Sequence, residues 1–286
     1  MNRPICVFSL ALICAACATA PSDPTTAPAA CQVDRSSNHE QLSGVLWMQT
    51  SAEYAAITRG TFRQAAAALD TALAKPEHTA ALEQTEPYAD KPPAVILDVD
   101  ETVLDNSPHQ AQRVIDGGLF DRTIWGEWVE QGSAQWVPGA KEFLAYAAER
   151  GVTVFLVTNR TTEEEAATRR NLEMLGYPIP ADPDQLLTKG EFDTSSEKSE
   201  RRRHVASTHR ILLLLGDDLN DFLPARLDNP ADRLALVRQH ESRFGRDWFV
   251  LPNPNYGSWD RALSARDTDA CGQLDHRRSK LEGFRR

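Results

Sequence analysis

The sequence lacks an excess of basic residues and contains little cysteine. Its 31 Lys and Arg residues are outnumbered by 41 Asp and Glu residues, which gives a net charge of −10. Because DNA and RNA are polyanions, a chain of this charge is not expected to bind nucleic acid. There are five cysteines among 286 residues, and no internal repeat. The 41% of apolar residues is nevertheless enough for a globular core.

The N-terminal apolar run, Ile5–Ile13, is too short to cross a bilayer. It leads into a Cys-Ala-Ala-Cys sequence that ends at Cys17, an arrangement typical of an export signal. The small residues before Cys17 resemble the lipobox of bacterial lipoproteins, which implies removal of a signal peptide, residues 1–16, and acylation of Cys17. The alternative is an ordinary signal peptide that is cleaved nearby.

Residues 17–40 are rich in Thr, Pro and Ala and predict a flexible tether. By analogy, Ala18 after the acylated cysteine implies an outer-membrane lipoprotein that faces the periplasm or the cell surface. Cys31 and Cys271 lie near the two ends of the mature chain. In an oxidising periplasm they are predicted to pair, and two unpaired buried thiols are the alternative.

Four short apolar runs predict the strands of a sheet. Their lack of polar alternation suits strands that are buried on both faces, as in a parallel sheet. Helices are predicted between these runs, one from the capping box of Thr161 and Glu164 to Gly176 and another over residues 138–150. The sequence therefore predicts an α/β fold with strands at Ala94–Leu97, Val152–Val157, Ile211–Leu215 and Trp248–Leu251.

The N-terminal part of the mature chain has a different pattern. Apolar residues at helical spacing from Gln41 to about Ala74 predict two helices, or one helix bent near Gly60. We expect residues 41–90 and about 106–137 to build a small helical domain. The tail, residues 264–286, alternates charges and is expected to be a solvated extension.

Three of the four predicted strands lead directly into polar motifs. These motifs would converge on one site, because ligands of open α/β sheets bind beyond the carboxyl ends of the strands. Several carboxylates crowded together favour a bound cation, and ligand sets made only of oxygen suit Mg²⁺. The alternative of a calcium loop is disfavoured, since Val103 stands where that loop requires glycine. The motifs are Asp98-Val99-Asp100, Thr158-Asn159-Arg160 and Gly216-Asp217-Asp218-Leu219-Asn220-Asp221.

Together with Lys198 and Arg201, the motifs in this order resemble the class C acid phosphatases, bacterial lipoprotein phosphatases of the haloacid dehalogenase superfamily. The likeness extends over residues 41–263. It implies a haloacid-dehalogenase-like Rossmannoid parallel sheet with a small helical domain. It also implies a Mg²⁺-dependent acid phosphatase for small phosphate monoesters, including 5′-nucleotides such as nicotinamide mononucleotide. A homodimer is compatible with the resemblance.

The resemblance also implies roles for the acidic residues. Asp98 would be the nucleophile that forms an aspartyl phosphate, and Asp100 would protonate the leaving oxygen and later activate water. Asp98, the backbone carbonyl of Asp100, and Asp217 would hold Mg²⁺. Asp221 would complete the metal site by fixing water bound to the ion.

The remaining site residues would bind the substrate. Thr158 and the backbone of Asn159 would hold phosphate oxygens, and Lys198 would neutralise the charge on the transferring group. The alternative for Lys198 is a charged, solvated helix face. The alternative for Arg160 is a pair with a structural carboxylate.

Aromatic residues are candidates for contact with the rest of the substrate. Tyr256, on a Pro/Asn/Gly loop after the fourth strand, is predicted to stack on a nucleotide base, or else it packs the loop. Trp125 and Trp128 share one face of a predicted helix. They would line the entrance of the site or be buried within the helical domain.

Two other functions are compatible with the sequence. A lipoprotein could bind phosphate esters without turning them over, although a pure binder needs no pair like Asp98 and Asp100. A related enzyme could transfer the phosphoryl group to acceptors other than water.

Overall fold

The computed structural model describes residues 39–225, 229–264, 268 and 270–281. Its strands are β1 (Pro93–Leu97), β2 (Leu104–Asp105), β3 (Gln135–Trp136), β4 (Thr153–Thr161), β5 (Leu186–Lys189), β6 (Arg210–Gly216) and β7 (Trp248–Val250). Its α-helices are α1 (Leu42–Thr50), α2 (Ala52–Leu73), α3 (Ser107–Asp116), α4 (Arg122–Gln131), α5 (Ala140–Glu149), α6 (Glu165–Met174), α7 (Ser199–Thr208), α8 (Pro230–Gln239), α9 (Ser258–Arg261) and α10 (Ala270–Ser279).

Five strands form one parallel sheet in the order β5-β4-β1-β6-β7. All four predicted strands are in this sheet, which confirms the α/β fold. β4 continues to Thr161, beyond its predicted end at Val157, so the Thr158-Asn159-Arg160 motif forms the end of the strand itself. β5 was not predicted from the sequence, because its four residues include only two large apolar side chains, Leu186 and Leu187.

Both faces of the sheet are covered by helices. Val95 and Leu97 of β1 join an apolar cluster with residues of α2 and α5, whereas Ala94 and Ile96 join a second cluster with residues of α7. Side chains alternate between the faces of a strand, so β1 must be apolar at every position when both faces are buried. The unbroken apolar run that predicted this strand therefore reflects its central place in the sheet.

The predicted capping box is present at the end of β4. The backbone N–H of Thr161 donates to Glu164 Oε2 at 2.8 Å, a 3₁₀ turn follows, and α6 begins at Glu165. The N-terminal helices break at Ser51, whose Oγ accepts from the backbone N–H of Tyr54 at 3.1 Å. The prediction of two helices is therefore confirmed, and its alternative, one helix bent near Gly60, is wrong, because the Ser51 cap begins the second helix and one glycine is tolerated inside α2.

Helix α2 was expected to belong to the small helical domain, but it packs on the sheet instead. Phe62, Ala65 and Leu69 of α2 belong to the apolar cluster on the sheet, so this helix covers the sheet. Helices α1, α3 and α4, with the antiparallel pair β2–β3, make up the remaining helical part. The strands β2 and β3 were not predicted, because two residues each are too few to show the alternation of side chains that marks a strand.

The C-terminal tail is in part a helix. Arg277 of α10 pairs with Asp260 of α9 at 2.6 Å. Cys271 is disulfide-bonded, but Cys31 lies outside the described residues, so their pairing stays a prediction. The predicted signal peptide and Cys17 also lie outside them. Within the described ranges, no helix has both the length and the apolar character needed to span a membrane.

Candidate active site

A cavity of about 680 Å³ lies at the carboxyl ends of β1, β4 and β6. This location follows from the parallel topology, which directs the ends of these three strands to one edge of the sheet. Thr158 is fully buried and is not on the cavity wall. The other predicted site residues are brought together on that wall, namely Asp98, Asp100, Asn159, Lys198, Asp217, Asp221 and Tyr256.

Three carboxylates form the centre of the site. Asp98, Asp217 and Asp221 each have an oxygen within 4.8 Å of the others. Lys198 Nζ lies 2.6 Å from Asp98 Oδ1 and 2.6 Å from Asp221 Oδ1. Since one ammonium group faces three carboxylates, the cluster retains an excess of negative charge when all of its groups are ionised.

Burial and mutual repulsion shift the pKa values of this cluster. Burial raises the pKa of Asp98, although the Lys198 ammonium opposes the shift. Burial and the nearby Asp221 raise the pKa of Asp217 well above its ordinary value, and burial raises that of Asp221 to about 7 against the pull of Lys198. Burial alone would lower the pKa of Lys198, but Asp221 and Asp98 raise it. Additional positive charge is therefore needed to keep all three carboxylates ionised.

The cluster fits a divalent cation. Its ligand atoms are carboxylate oxygens, which hard ions such as Mg²⁺ prefer, and a dication would offset the excess negative charge. The side chain of Asp100 is not part of the cluster. Any contact from Asp100 to the ion would therefore come from its backbone carbonyl, as the resemblance implies.

The side chain of Asp100 is held by two neighbours. Its Oδ1 accepts from Arg160 Nε at 3.0 Å, from Arg160 Nη2 at 2.9 Å and from Asn106 Nδ2 at 2.8 Å. Its Oδ2 lies 3.5 Å from Thr158 Oγ1. Arg160 does pair with a carboxylate, and that carboxylate is the candidate general acid.

Lys198 is not on a solvated helix face. It precedes α7, its residue exposure is 3%, and the ion pair on the exposed surface of α7 is that of Glu200 and Arg203. The alternative of a charged, solvated face for Lys198 is therefore wrong. The interleaved charges of this segment hid the fact that one side of α7 is buried.

Another buried base of α7 fixes the motif at the end of β4. Arg201 donates to the backbone carbonyl of Thr158, and its Nη2 donates to Asn159 Oδ1 at 3.0 Å. The Thr158 hydroxyl accepts from the backbone N–H of Arg160 at 3.1 Å. Thr158 and Asn159 are therefore held rigidly, with Asn159 on the cavity wall.

Tyr256 lies on the cavity wall, in the loop between β7 and α9. Asn253 in this loop and Ser258 at the start of α9 tie it to the acidic motif after β6 through three hydrogen bonds. Asn253 Nδ2 donates to Asp217 Oδ2 at 2.8 Å, and the backbone N–H and hydroxyl of Ser258 each donate to Asp218 at 2.5 Å. The roles of Asn253 and Ser258 were not predicted, because polar residues in a Pro/Asn-rich loop look like ordinary turn residues.

The helical part supplies an aromatic section of the wall. Phe120 and Trp125 line the cavity. Trp128 does not, and its Nε1 donates to Asn106 Oδ1 at 2.8 Å. The two tryptophans of the predicted helix face thus serve different purposes, one at the cavity and one in the hydrogen-bond network beside Asp100.

Comparison with known proteins relates this site to a family. Residues 13–259 match the model of the HAD superfamily, subfamily IIIB (acid phosphatase). Acid phosphatase 1 of Solanum lycopersicum is 29% identical over 166 residues, which are 56% of this chain and 57% of that protein. The stem 28 kDa glycoprotein of Glycine max is 26% identical over 167 residues, which are 56% and 58% of the two chains. This chain thus spans little more than half the length of these curated relatives.

Solved structures give a more complete match. Two structures of the class C acid phosphatase from Bacillus anthracis, one of them with tungstate bound, have a TM-score of 0.75 and 34% sequence identity to this protein. The match covers 86% of this chain and 98% of that one. With the family model, it shows that the chain belongs to the subfamily IIIB acid phosphatases of the haloacid dehalogenase (HAD) superfamily.

Proposed function

We propose that the protein is a Mg²⁺-dependent acid phosphatase that hydrolyses phosphate monoesters through an aspartyl phosphate on Asp98. The observation that carries this proposal is the ion pair of Asp98 with Lys198, 2.6 Å long, on the wall of a cavity that also contains the carboxylates of Asp217 and Asp221. A nucleophile, a cation for the phosphate and a site for a metal are thus adjacent. The tungstate in the Bacillus anthracis structure supports the proposal, because tungstate is an oxyanion similar to phosphate.

In the first step, a carboxylate oxygen of Asp98 forms a bond to phosphorus while the bond from phosphorus to the leaving oxygen breaks. Asp100 gives its proton to that leaving oxygen. In the second step, the Asp100 carboxylate takes a proton from water as the water oxygen attacks phosphorus. The bond between phosphorus and Asp98 then breaks and inorganic phosphate leaves.

Other groups bind the phosphate during both steps. Lys198 and the backbone of Asn159, both on the cavity wall, would hold its oxygens. The Thr158 hydroxyl, which the resemblance also assigns to the phosphate, is buried away from that wall and would instead hold the backbone of Arg160. Asp98, Asp217 and the Asp100 carbonyl would hold Mg²⁺, with Asp221 fixing its bound water, and the ion would supply further neutralisation of the charge on the phosphoryl group. Activity in mild acid requires an ionised Asp98 beside a protonated Asp100. Because burial raises the pKa of Asp98, its ionisation at low pH depends on this metal and on Lys198.

We further propose that 5′-nucleotides, including nicotinamide mononucleotide, are among the substrates. A volume of about 680 Å³ is within the range of pockets that hold whole organic ligands and is much larger than a phosphate group. Tyr256, Trp125 and Phe120 are on its wall and offer aromatic surfaces to a base. Stacking discriminates little between bases, which suits an enzyme of broad specificity.

Hydrolysis of a panel of phosphate monoesters, measured across pH with Mg²⁺ and with a chelator, tests the proposed activity. We expect several esters to be hydrolysed with Mg²⁺, none in excess chelator, and activity to return when Mg²⁺ is restored. Tight binding without turnover of any ester would favour the binding lipoprotein. Transfer to an added alcohol in preference to water would favour the transferase.

We also propose that the mature protein is an outer-membrane lipoprotein anchored through Cys17. The small residues before this cysteine support the proposal. Cys17→Ser should release the protein from membrane fractions, and mass spectrometry should find diacylglycerol on the wild type. A wild-type protein without lipid would contradict the anchor. A homodimer is not required by the site, because Asp98, Asp100, Lys198 and Asp217 all come from one chain.

A further inference from the structure

We propose that Trp128 and Asn106 form a positioning pair that, together with Arg160, holds Asp100 with one defined oxygen available to the leaving group. The inference rests on the proposed acid role of Asp100. It adds to that role a link between the acid and the helical part of the protein, because Trp128 belongs to α4.

The two oxygens of Asp100 have different surroundings. Its Oδ1 accepts three hydrogen bonds of 2.8 to 3.0 Å, one from Asn106 and two from Arg160. Among the described residues, its Oδ2 has one hydrogen-bond contact, from Thr158 at 3.5 Å, which is at the limit of a hydrogen bond. Because Asp100 lines the cavity, the geometry assigns the transferable proton to Oδ2.

The neighbours of Asn106 fix the orientation of its side-chain amide. Its Oδ1 accepts from Trp128 Nε1 at 2.8 Å and from Arg160 Nη2 at 3.2 Å. Indole and guanidinium groups are donors only, so they can face the oxygen of the amide but not its NH₂ group. The NH₂ group is therefore directed to the carboxylate of Asp100. A flipped amide would place two donors against its NH₂ group and its oxygen against Asp100 Oδ1, and these three hydrogen bonds would be lost.

Buried hydrogen bonds anchor this network in the protein. Asn106 is fully buried, and its backbone N–H donates to Glu101 Oε1 at 3.0 Å. Arg160 is 2% exposed, and its Nη1 donates to Thr168 Oγ1 of α6 at 3.0 Å. The guanidinium also lies 5.5 Å from the ring centroid of Trp125, a residue of α4 that lines the cavity. Helix α4 thus helps to set both the shape of the cavity and the orientation of the acid.

The consequence for catalysis depends on the leaving group. An alkoxide is strongly basic, so an alkyl phosphate needs a proton from a well-placed acid, whereas p-nitrophenolate leaves with little help. Loosening Asp100 should therefore slow an alkyl phosphate more than p-nitrophenyl phosphate. The value of kcat/KM is the appropriate measure, because it reports the steps up to cleavage of the ester bond.

The test uses Trp128→Phe, which keeps a ring and removes the Nε1 donor. Compared with wild type, the ratio of kcat/KM for glycerol phosphate to that for p-nitrophenyl phosphate should fall roughly two- to tenfold, the usual effect of one hydrogen bond. The matched control is Trp136→Phe, since Trp136 lies on β3 with its ring against Tyr177 and outside this network. That control should leave the ratio unchanged. Equal losses on both esters in Trp128→Phe would show a role in packing alone and overturn the proposal.

Asp100→Asn separates this inference from the function on which it rests. If Asp100 is the acid, that variant should lose far more activity on glycerol phosphate than on p-nitrophenyl phosphate. Equal losses on both esters would refute the acid role and the positioning pair with it. A selective loss in Asp100→Asn with no change of ratio in Trp128→Phe would overturn the positioning pair alone. Should Trp128→Phe fail to fold, Arg160→Lys keeps the charge, removes the two-pronged contact to Oδ1 and is judged by the same ratio.

Discussion

Tyr256, in the loop between β7 and α9, lies on the same cavity wall as Asp98 and Asp100. If its ring stacks on a base, Tyr256→Ala should lower kcat/KM for nucleoside monophosphates roughly five- to 150-fold, the effect of losing a stack of about 1 to 3 kcal/mol. Glycerol phosphate should be affected much less, because its leaving group cannot stack. Steady-state kinetics with both substrates makes the comparison.

A suitable control for this substitution is Tyr88→Ala, since Tyr88 is outside the cavity. It should leave the preference between the two substrates unchanged. Equal losses on both substrates in folded Tyr256→Ala would mean that the tyrosine only packs its loop. The basis of substrate preference would then have to be sought in Trp125 and Phe120.

The residues of the site differ in how far the sequence predicts them. Asp98, Asp100 and Asp217 were predicted because they directly follow apolar strands, and topology alone brings such positions together. The partners that orient them could not be predicted in the same way. Asn106 lies only six residues from Asp100, directly before α3, but no sequence pattern shows that its amide faces that carboxylate. Asn253 reaches Asp217 only because the loop after β7 folds back over the sheet.

At the scale of elements, the loop between β7 and α9 depends on Gly257. This residue has a φ of 136° and ψ of −174°, and a Cβ added to it would lie 2.8 Å from Asp218 Oδ2. Gly257→Ala should therefore destabilise the protein by roughly 1 to 3 kcal/mol, as expected where only glycine adopts the backbone conformation. Urea denaturation, followed by tryptophan fluorescence, measures the change.

Gly60→Ala is the matched control for this element. Gly60 lies inside α2, and a Cβ added there meets no atom within 4 Å. Alanine should stabilise the helix by roughly 0.5 to 1 kcal/mol, because it costs less conformational entropy than glycine. A Gly257→Ala protein as stable as Gly60→Ala would contradict the strain assigned to the loop.

The helices and strands that were predicted from the sequence are the longer and more deeply buried ones. The four strands with continuous apolar runs were found, as were α5 and α6 with their helix signals. β5 and the pair β2–β3 were not, since strands of two to four residues give no periodic pattern. The sequence does not predict that α2 packs on the sheet, because an amphipathic pattern shows which face of a helix is buried but not which surface it covers.

At the scale of the whole molecule, the carboxylate cluster should link stability to pH and to metal. The pKa of Asp221 is raised to about 7, and that of Asp217 is also raised. A group with a raised pKa in the folded state stabilises the fold below its unfolded pKa of about 4, and this contribution is lost as pH rises through the folded pKa. Mg²⁺ requires the ionised carboxylates, so it should bind more tightly as pH rises.

Mg²⁺ should therefore raise the melting temperature more at pH 8 than at pH 5. For each proton displaced, metal affinity should fall by about tenfold per pH unit below 7. Thermal unfolding with Mg²⁺ or chelator at the two pH values measures this, with Asp217→Asn as the control that should respond weakly to Mg²⁺ at both. An equal stabilisation of the wild type at pH 5 and pH 8 would contradict the link.

The central claim is that phosphate is transferred to Asp98, and trapping the intermediate tests it most directly. Wild-type protein with Mg²⁺ is mixed with p-nitrophenyl phosphate, quenched in acid within its first turnovers, digested and analysed by mass spectrometry. We expect one added phosphoryl group on the peptide that contains Asp98, and none in Asp98→Asn, which should also have lost its activity by several powers of ten. Rapid hydrolysis by Asp98→Asn, or a phosphoryl group on another residue of the wild type, would show that Asp98 is not the nucleophile.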